Sequence, residues 1–195
     1  METKGEVNIS PNYNKESYLK LNLDLQSSES DWNVAVTILK DRIEGRYLNQ
    51  IDLLSNDVNA NGFTIMALNC LLIETLYQFR EGKDKTPARQ NKEVYSDFLM
   101  HEFPREFSSQ RIAESFYTDI RCGILHSAQT KNESRLSDRE DIVVAFEQNT
   151  LVVSVKGVSS LLKTYFERYL QKLSNPNEVA LRNNFIRKMK FVCRK

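Results

Sequence analysis

Glycine, proline, cysteine and histidine are scarce in this sequence. Its 195 residues include 6 glycines, 4 prolines, 3 cysteines and 2 histidines. The low glycine and proline content argues against a disordered or fibrous chain and favours helices. Cys70, Cys122 and Cys193 are odd in number, lie far apart and form no CxxC pair, which argues against a disulfide framework. We therefore expect a helix-rich protein from a reducing compartment.

Charge of one sign and long apolar runs are also lacking. The 27 Lys and Arg residues nearly balance 26 Asp and Glu residues, so the formal net charge is +1. This balance excludes a basic field over the whole molecule as the means of binding nucleic acid and leaves only a local patch. Polar residues interrupt the longest apolar stretch, residues 63–79, which is shorter than the ~20 residues that span a bilayer. The N-terminal residues lack a signal-peptide pattern, so we expect a cytoplasmic protein that does not associate with membranes.

Apolar residues recur at intervals of three and four along most of the chain, which indicates amphipathic helices. This spacing predicts a long helix at about 30–54 and a buried central helix at about 62–81, with a break in the polar stretch 55–61. Two further helices are predicted at about 158–173 and 177–192. Shorter helices are expected before Pro104 and between an N-cap at Ser108 or Ser109 and the segment that ends at His126.

Two stretches of the sequence have patterns typical of β-strands. Leucines alternate with polar residues over 18–25, which predicts a strand in an N-terminal arm. Residues 142–155 read as a hairpin whose tight turn is Gln148-Asn149, and the arm strand could extend it. The sequence thus predicts an arm, 1–28, followed by a single domain, 29–195. The fold class is mostly α with a small antiparallel sheet, α+β overall.

The segment from Arg121 to His126 is the strongest candidate for chemistry. An imidazole can take up and return a proton near neutral pH, and a guanidinium is a planar cation suited to a phosphate. Five residues on a regular helix separate the two side chains by about 140°, so we expect a bend at Gly123 to bring them together. The alternative is that Arg121 caps a helix end or pairs with Asp119, while His126 packs against Leu125. The HxxxH, HExxH and CxxC spacings of metal sites are absent, and we predict neither a metal nor a cofactor.

Two other groups of residues are candidates. Glu74 lies in the most apolar helix, where an unpaired carboxylate would be costly. Our hypothesis is that it pairs with Arg121 or orients His126. The alternative is that it pairs with a structural arginine or sits at the edge of the helix. Residues 182–195 carry six cations and no acid, and Arg187, Lys188 and Lys190 are candidate RNA contacts. The alternative for this stretch is the solvated face of an amphipathic helix.

The stretch Phe116-Tyr-Thr-Asp-Ile-Arg-Cys-Gly-Ile-Leu-His126 resembles the Arg-x4-6-His signature of HEPN domains. Residues 67–82 are similar to the central helix of a group of bacterial HEPN-like proteins, and the resemblance extends over about 30–175. It implies a helical HEPN bundle and a metal-independent endoribonuclease of a toxin–antitoxin or phage-defence system. It also implies a homodimer in which the motifs of both protomers line one cleft, with RNA or a nucleotide as ligand and an antitoxin protein as a further partner.

By this resemblance, Arg121 holds the scissile phosphate and His126 is the general acid or base for attack by the 2′-OH. One position departs from the family pattern, because Cys122 stands where active members commonly have a polar residue. A non-catalytic module that binds RNA, a nucleotide or a protein is therefore the alternative function. A structural scaffold is a third option, and it predicts that Arg121 and His126 lie apart.

Overall fold

Helices dominate the fold. A computed structural model describes residues 7–87 and 89–194. It is 66% helical with a small three-stranded mixed sheet, which confirms the predicted mostly α fold with a small sheet. In chain order the helices are α1 (Lys15–Leu19), α2 (Glu29–Ile43), α3 (Asn49–Leu54), α4 (Val58–Glu81), α5 (Asn91–Glu102), α6 (Gln110–Ser115), α7 (Cys122–Ser127), α8 (Val155–Ser174) and α9 (Val179–Arg194). The strands are β1 (Arg135–Ser137), β2 (Val144–Glu147) and β3 (Thr150–Ser154).

The polar stretch after α3 does not form the predicted break. A wider π turn, Glu44–Leu48, joins α2 to α3, and a single 3-10 turn, Ser55–Asp57, joins α3 to α4. The Asp57 carboxylate accepts a hydrogen bond from the backbone N–H of Ala60 at 3.1 Å, and Asn61 Nδ2 donates to the Leu54 carbonyl at 3.2 Å. These side chains satisfy backbone groups that a helix end leaves without partners, so helical structure continues through the polar segment.

One helical stretch of the described residues, Glu29–Glu81, is long and apolar enough to cross a membrane by length and composition. Its most apolar 18-residue window has a mean hydropathy of 1.2, and 56% of that window is buried inside the protein. The core helix of a soluble protein meets the same criterion. The cytoplasmic location expected from the sequence therefore stays a prediction.

The predicted arm strand at 18–25 is wrong. Residues Lys15–Leu19 form α1, which starts because Asn14 Oδ1 accepts the Ser17 backbone N–H at 2.8 Å. Beyond α1, Asn22 has a left-handed φ of 43°, which breaks extended backbone. Leu23 is buried whereas Leu19 is 49% exposed, so the alternating leucines do not line one face. Local caps and turns outweigh the two-residue period in this segment.

The predicted hairpin is confirmed. Strands β2 and β3 pair antiparallel, with Phe146 opposite Leu151. Gln148 and Asn149 connect them with φ values of 49° and 66°, the positive pair that a type I′ hairpin turn requires. Strand β1 pairs with β3 in parallel, in the order β1-β3-β2, so the sheet is mixed and its third strand is not the arm.

Contacts between residues divide the chain into two compact units. Unit 1 contains residues up to Gln50, Gln78–Asp84 and the chain from Tyr165 on, and unit 2 contains Ile51–Tyr77 and Lys85–Thr164. In unit 1 the Phe185 ring lies 6.0–6.2 Å from three other aromatic rings, those of Tyr18, Trp32 and Phe79. In unit 2 a row of rings fills the core, namely Tyr95, Phe98, Phe103, Phe107 and Phe116. The division into an arm, 1–28, and one domain, 29–195, stays a prediction.

Gly123 does not bend the chain. Helix α7 runs through it, and the chain then turns back at Ala128, whose φ is 52°. A Cβ on Gly123 would lie 2.4 Å from the Gln129 carbonyl oxygen and 3.2 Å from Thr130 Cα. The predicted bend at this residue is therefore wrong, because the glycine instead gives the returning loop room to pack against α7.

Two glycine-to-alanine substitutions in helices of unit 2 test this role of Gly123. Gly62→Ala places its methyl group in ordinary contact, 3.7 Å from Val155 Cγ2, so we expect a gain of about 0.5–1 kcal/mol in the free energy of unfolding. Gly123→Ala must displace backbone, and we expect a loss of about 1–3 kcal/mol. Urea denaturation measures both, and a Gly123→Ala variant as stable as Gly62→Ala would contradict the packing described.

Candidate functional site

Arg121 is the last residue of a π turn. The turn spans Phe116–Arg121 and joins α6 to α7, with the Cys122 backbone N–H donating to the Tyr117 carbonyl. Single π turns inserted between α-helical segments are frequent at functional sites. The Arg121 guanidinium carbon lies 5.4 Å from the centre of the Tyr117 ring, within the range of a cation–π contact.

Glu74 fixes the Arg121 guanidinium. Arg121 Nη2 donates to Glu74 Oε2 at 3.1 Å, and the side chains are 13% and 26% exposed, respectively. The other carboxylate oxygen, Oε1, accepts the Thr86 hydroxyl at 2.9 Å. The ion pair hypothesised from the sequence is therefore present, while a role for Glu74 in any reaction stays a prediction.

The electrostatics of this pair keep Arg121 cationic. Burial lowers the pKa of the guanidinium, but the hydrogen bond to Glu74 and its negative charge outweigh that effect, so the pKa is raised above its ordinary value. The Arg121 Nε atom is buried and has no hydrogen-bond partner. Nη2 is held by the Glu74 carboxylate, and Nη1 is the donor that lies nearest His126.

His126 lies on the open side of Arg121. Its imidazole is exposed, and Nε2 is 3.5 Å from Arg121 Nη1, at the long end of hydrogen-bond range. A guanidinium only donates, so a hydrogen bond at this contact requires Nε2 as the acceptor. The two motif residues are adjacent, which is the opposite of the separation that a scaffold without a site predicts.

The Asp119 side chain bonds to the loop after α7 and not to Arg121. Its buried carboxylate accepts Asn132 Nδ2 at 2.8 Å and the Ser134 hydroxyl at 3.1 Å. The Asp119 carbonyl also accepts the Lys131 backbone N–H at 3.0 Å. The alternative pairing of Arg121 with Asp119 is therefore not formed, and Asp119 instead anchors the loop that follows α7.

The pKa values of three groups near the ion pair, Tyr117, Tyr95 and Cys70, lie above their ordinary values. Burial, followed by the neighbouring Cys122, raises the pKa of Tyr117. Burial likewise raises the pKa of Tyr95, and it raises that of Cys70 to about 12. These groups therefore stay neutral at physiological pH. Among the side chains gathered around Arg121, His126 is the one of the residue type that exchanges protons near neutrality.

The C-terminal cations are divided between interior and surface. Lys188 is 5% exposed and its ammonium donates to Gln78 Oε1 at 2.7 Å and to the Asp84 carbonyl at 2.9 Å. Arg182 is also buried and donates to two carbonyls at the end of α8. Lys188 as an RNA contact is therefore wrong, because its donors already bond inside unit 1. Arg187 and Lys190 are exposed and stay candidates, whereas Lys195, part of the same basic stretch, lies outside the described residues.

Sequence reasoning missed two members of the site. Tyr117 precedes Arg121 by four residues, a spacing at which helical side chains meet, so this contact could have been found. Thr86 lies in the loop between α4 and α5, and no sequence pattern ties it to Glu74. Within residues 7–87 and 89–194, no group of three or more His, Cys, Asp and Glu side chains is placed to hold a metal ion.

No protein-family model, curated protein or solved structure matches this chain. The resemblance to HEPN domains therefore rests on the sequence segments quoted for it and stays a prediction.

A double-mutant cycle tests the Glu74–Arg121 pair. We expect Glu74→Gln, Arg121→Gln and the double variant to give a coupling energy of about 0.5–3 kcal/mol, because each single change leaves a largely buried partner unpaired. The exposed pair Lys92–Glu114, at 2.9 Å, is the control and should show a weaker coupling. Thermal or urea unfolding provides the measurements, and equal coupling in the two pairs would argue that Glu74 does not hold Arg121.

A second pair of substitutions tests the burial of Lys188. Lys188→Met removes the donor for Gln78 and Asp84, so we expect a loss of about 1–3 kcal/mol in the free energy of unfolding. Lys190→Met, two residues along the same helix and exposed, should change it by about 0.5 kcal/mol or less. Urea denaturation compares them, and a neutral Lys188→Met would restore Lys188 as a surface cation.

Proposed function

We propose that this protein is a metal-independent endoribonuclease of a toxin or phage-defence system, acting through Arg121 and His126 at a cleft between two copies of the chain. The observation that carries the proposal is the exposed His126 imidazole beside a guanidinium that Glu74 fixes. A phosphate oxygen that enters between Nη1 of Arg121 and Nε2 of His126 meets a charged donor on one side and a proton carrier on the other.

The reaction that suits this pair is transesterification at an RNA phosphate. The 2′-oxygen attacks the adjacent phosphorus, the bond from phosphorus to the 5′-oxygen breaks, and the products are a 2′,3′-cyclic phosphate and a 5′-OH end. Arg121 stabilises the charge that develops on the phosphoryl oxygens. Glu74 is a positioning residue, because it touches Arg121 and not the phosphate in this arrangement.

Proton balance supports the use of two copies. One proton must leave the 2′-OH and one must reach the 5′-oxygen, and each copy supplies one imidazole at Arg121. Two copies facing one cleft provide both a base and an acid without a further residue type. The second copy is part of the proposal, as is an antitoxin protein that restrains the enzyme.

The non-catalytic binding module is the second candidate, and the ion pair itself favours it. Glu74 already offsets the charge of Arg121, so an incoming phosphate competes with a carboxylate. Cys122, directly after Arg121, departs from the polar residue of the active HEPN families. In this case the same side chains bind RNA or a nucleotide without cleaving it.

Two histidine variants separate these functions. In cleavage assays with chelator present, wild-type protein should produce cyclic-phosphate ends, and His126→Ala should slow cleavage about 100-fold or more through loss of proton transfer. His101→Ala is the matched control, because His101 is the only other histidine and is exposed on α5. Gel analysis with 5′-end chemistry measures both.

Four outcomes decide between the candidates. Cleavage that survives His126→Ala overturns the enzyme proposal, and so does wild-type protein that never cuts RNA. Binding of RNA that requires Arg121, without cleavage, establishes the module instead. Equal loss in His126→Ala and His101→Ala would show that the imidazole at Arg121 has no special role.

A further inference from the structure

The solvent-exposed side of α4 carries no charged residue over most of its length. Residues 58–73 include no Asp, Glu, Lys or Arg, and they span about 24 Å of helix. Two large apolar side chains on this side are exposed, Phe63 by 46% and Leu71 by 42%. Smaller residues lie beside them at intervals of three and four, so together they form one face of the helix. The α4 face consists of Ala60, Phe63, Thr64, Ala67 and Leu71.

The lack of charge distinguishes α4 from the other described helices of twelve or more residues. Each of those exposes charged side chains, for example Lys40 in α2, Glu93 in α5, Glu167 in α8 and Arg187 in α9. Single exposed apolar residues are ordinary, whereas a contiguous apolar patch indicates an interaction surface. The core of a protein–protein interface is depleted of charge and enriched in aromatic residues. The α4 face therefore has the composition of an interface core.

The α4 face ends next to the candidate site. Leu71 precedes Glu74 by three residues, which is about 4.5 Å along the helix axis. Glu74 Oε2 accepts Arg121 Nη2 at 3.1 Å, and Nη1 of the same guanidinium lies 3.5 Å from His126 Nε2. All of these residues belong to unit 2. A molecule that covers Leu71 therefore lies within one helical turn of the residue that holds Arg121.

The charge pattern favours a second copy of this chain as the molecule that covers the α4 face. A two-fold axis sets a surface against an identical surface, so like charges near the axis repel each other. The α4 face carries no charge and can meet its own copy without this cost. It also lacks the cations with which a protein binds the phosphates of RNA.

We propose that two copies of the chain associate through their α4 faces, with the two-fold axis at Leu71, and that this contact forms the cleft of the proposed function. The inference rests on the proposed function, in which a second His126 is needed at the scissile phosphate. Packed helices lie about 8–10 Å apart, so an axis at Leu71 brings the two Glu74 residues within about 10–15 Å of each other. Each Glu74 holds its own Arg121, so both phosphate sites lie at this contact.

A charge placed at the axis tests the contact. Sedimentation velocity over a range of concentrations should show wild-type protein as a dimer with twice the 22.7 kDa of one chain. Leu71→Glu sets two carboxylates against each other, so we expect the dissociation constant of the dimer to rise about 100-fold or more. Val179→Glu, at a valine that is 49% exposed on α9, is the matched control and should leave the dissociation constant unchanged.

A pair of opposite charges controls for a folding defect in Leu71→Glu. An equimolar mixture of Leu71→Glu and Leu71→Lys should dimerise about tenfold or more tightly than either variant alone, because the two charges then attract each other. In wild-type protein, isotope-filtered NOEs between labelled and unlabelled copies should join the methyl groups of Leu71 across the axis. A mixture that gains no affinity, or the absence of these NOEs, overturns the axis at Leu71.

The remaining outcomes separate this inference from the proposed function. Wild-type protein that is monomeric at every concentration, or a dimer that Leu71→Glu leaves intact, overturns the α4 contact even where RNA is cut. A dimer that Leu71→Glu dissociates, in a protein that never cuts RNA, supports the contact and overturns the enzyme proposal. Where both proposals hold, Leu71→Glu loses RNA cleavage together with dimerisation and Val179→Glu keeps both. Cleavage at the wild-type rate by monomeric Leu71→Glu overturns the cleft at this contact.

Discussion

The ion pair between Glu74 and Arg121 is the interaction on which the candidate site depends. It joins the most apolar helix, α4, to the π turn that precedes α7, with Nη2 3.1 Å from Oε2. A largely buried ion pair contributes little net stability, because desolvation offsets most of the attraction. Its value lies in orientation, since a guanidinium held by a carboxylate presents its other edge in a fixed direction. On that edge Nη1 lies 3.5 Å from Nε2 of the exposed His126, while the second carboxylate oxygen of Glu74 accepts the Thr86 hydroxyl.

Backbone features support the same orientation. A regular helix would place residues five apart on different faces, and the π turn ending at Arg121 adds one residue to the turn just before the pair. The long arginine side chain then spans the remaining distance to His126. Asp119, in the same π turn, holds the loop after α7, and Gly123 leaves space for that loop. Fixing the loop on one side of α7 leaves His126 exposed on another.

Periodic patterns predicted the large elements, and local chemistry decided the rest. The amphipathic helices and the Gln148-Asn149 hairpin follow from spacing and turn preference, and the Glu74–Arg121 pair followed from the cost of an unpaired carboxylate in an apolar helix. The strand at 18–25 failed because side-chain caps formed a short helix there. Thr86 and the burial of Lys188 were not predictable, because both depend on which loop reaches which helix. The π turn also left no hydrophobic pattern to detect.

Several cations of this nearly neutral chain are bonded to carbonyls or acidic side chains within the protein. Arg182 and Lys188 bond backbone carbonyls inside unit 1, Arg121 bonds Glu74, and Arg139 bonds two acids at the surface. Cations engaged in this way add little long-range attraction for a polyanion. Under the proposed function, affinity for RNA must then come from contacts at short range, at the Arg121 guanidinium and the His126 imidazole. The proposed site therefore predicts a weaker dependence of binding on salt than a surface that follows a phosphate backbone.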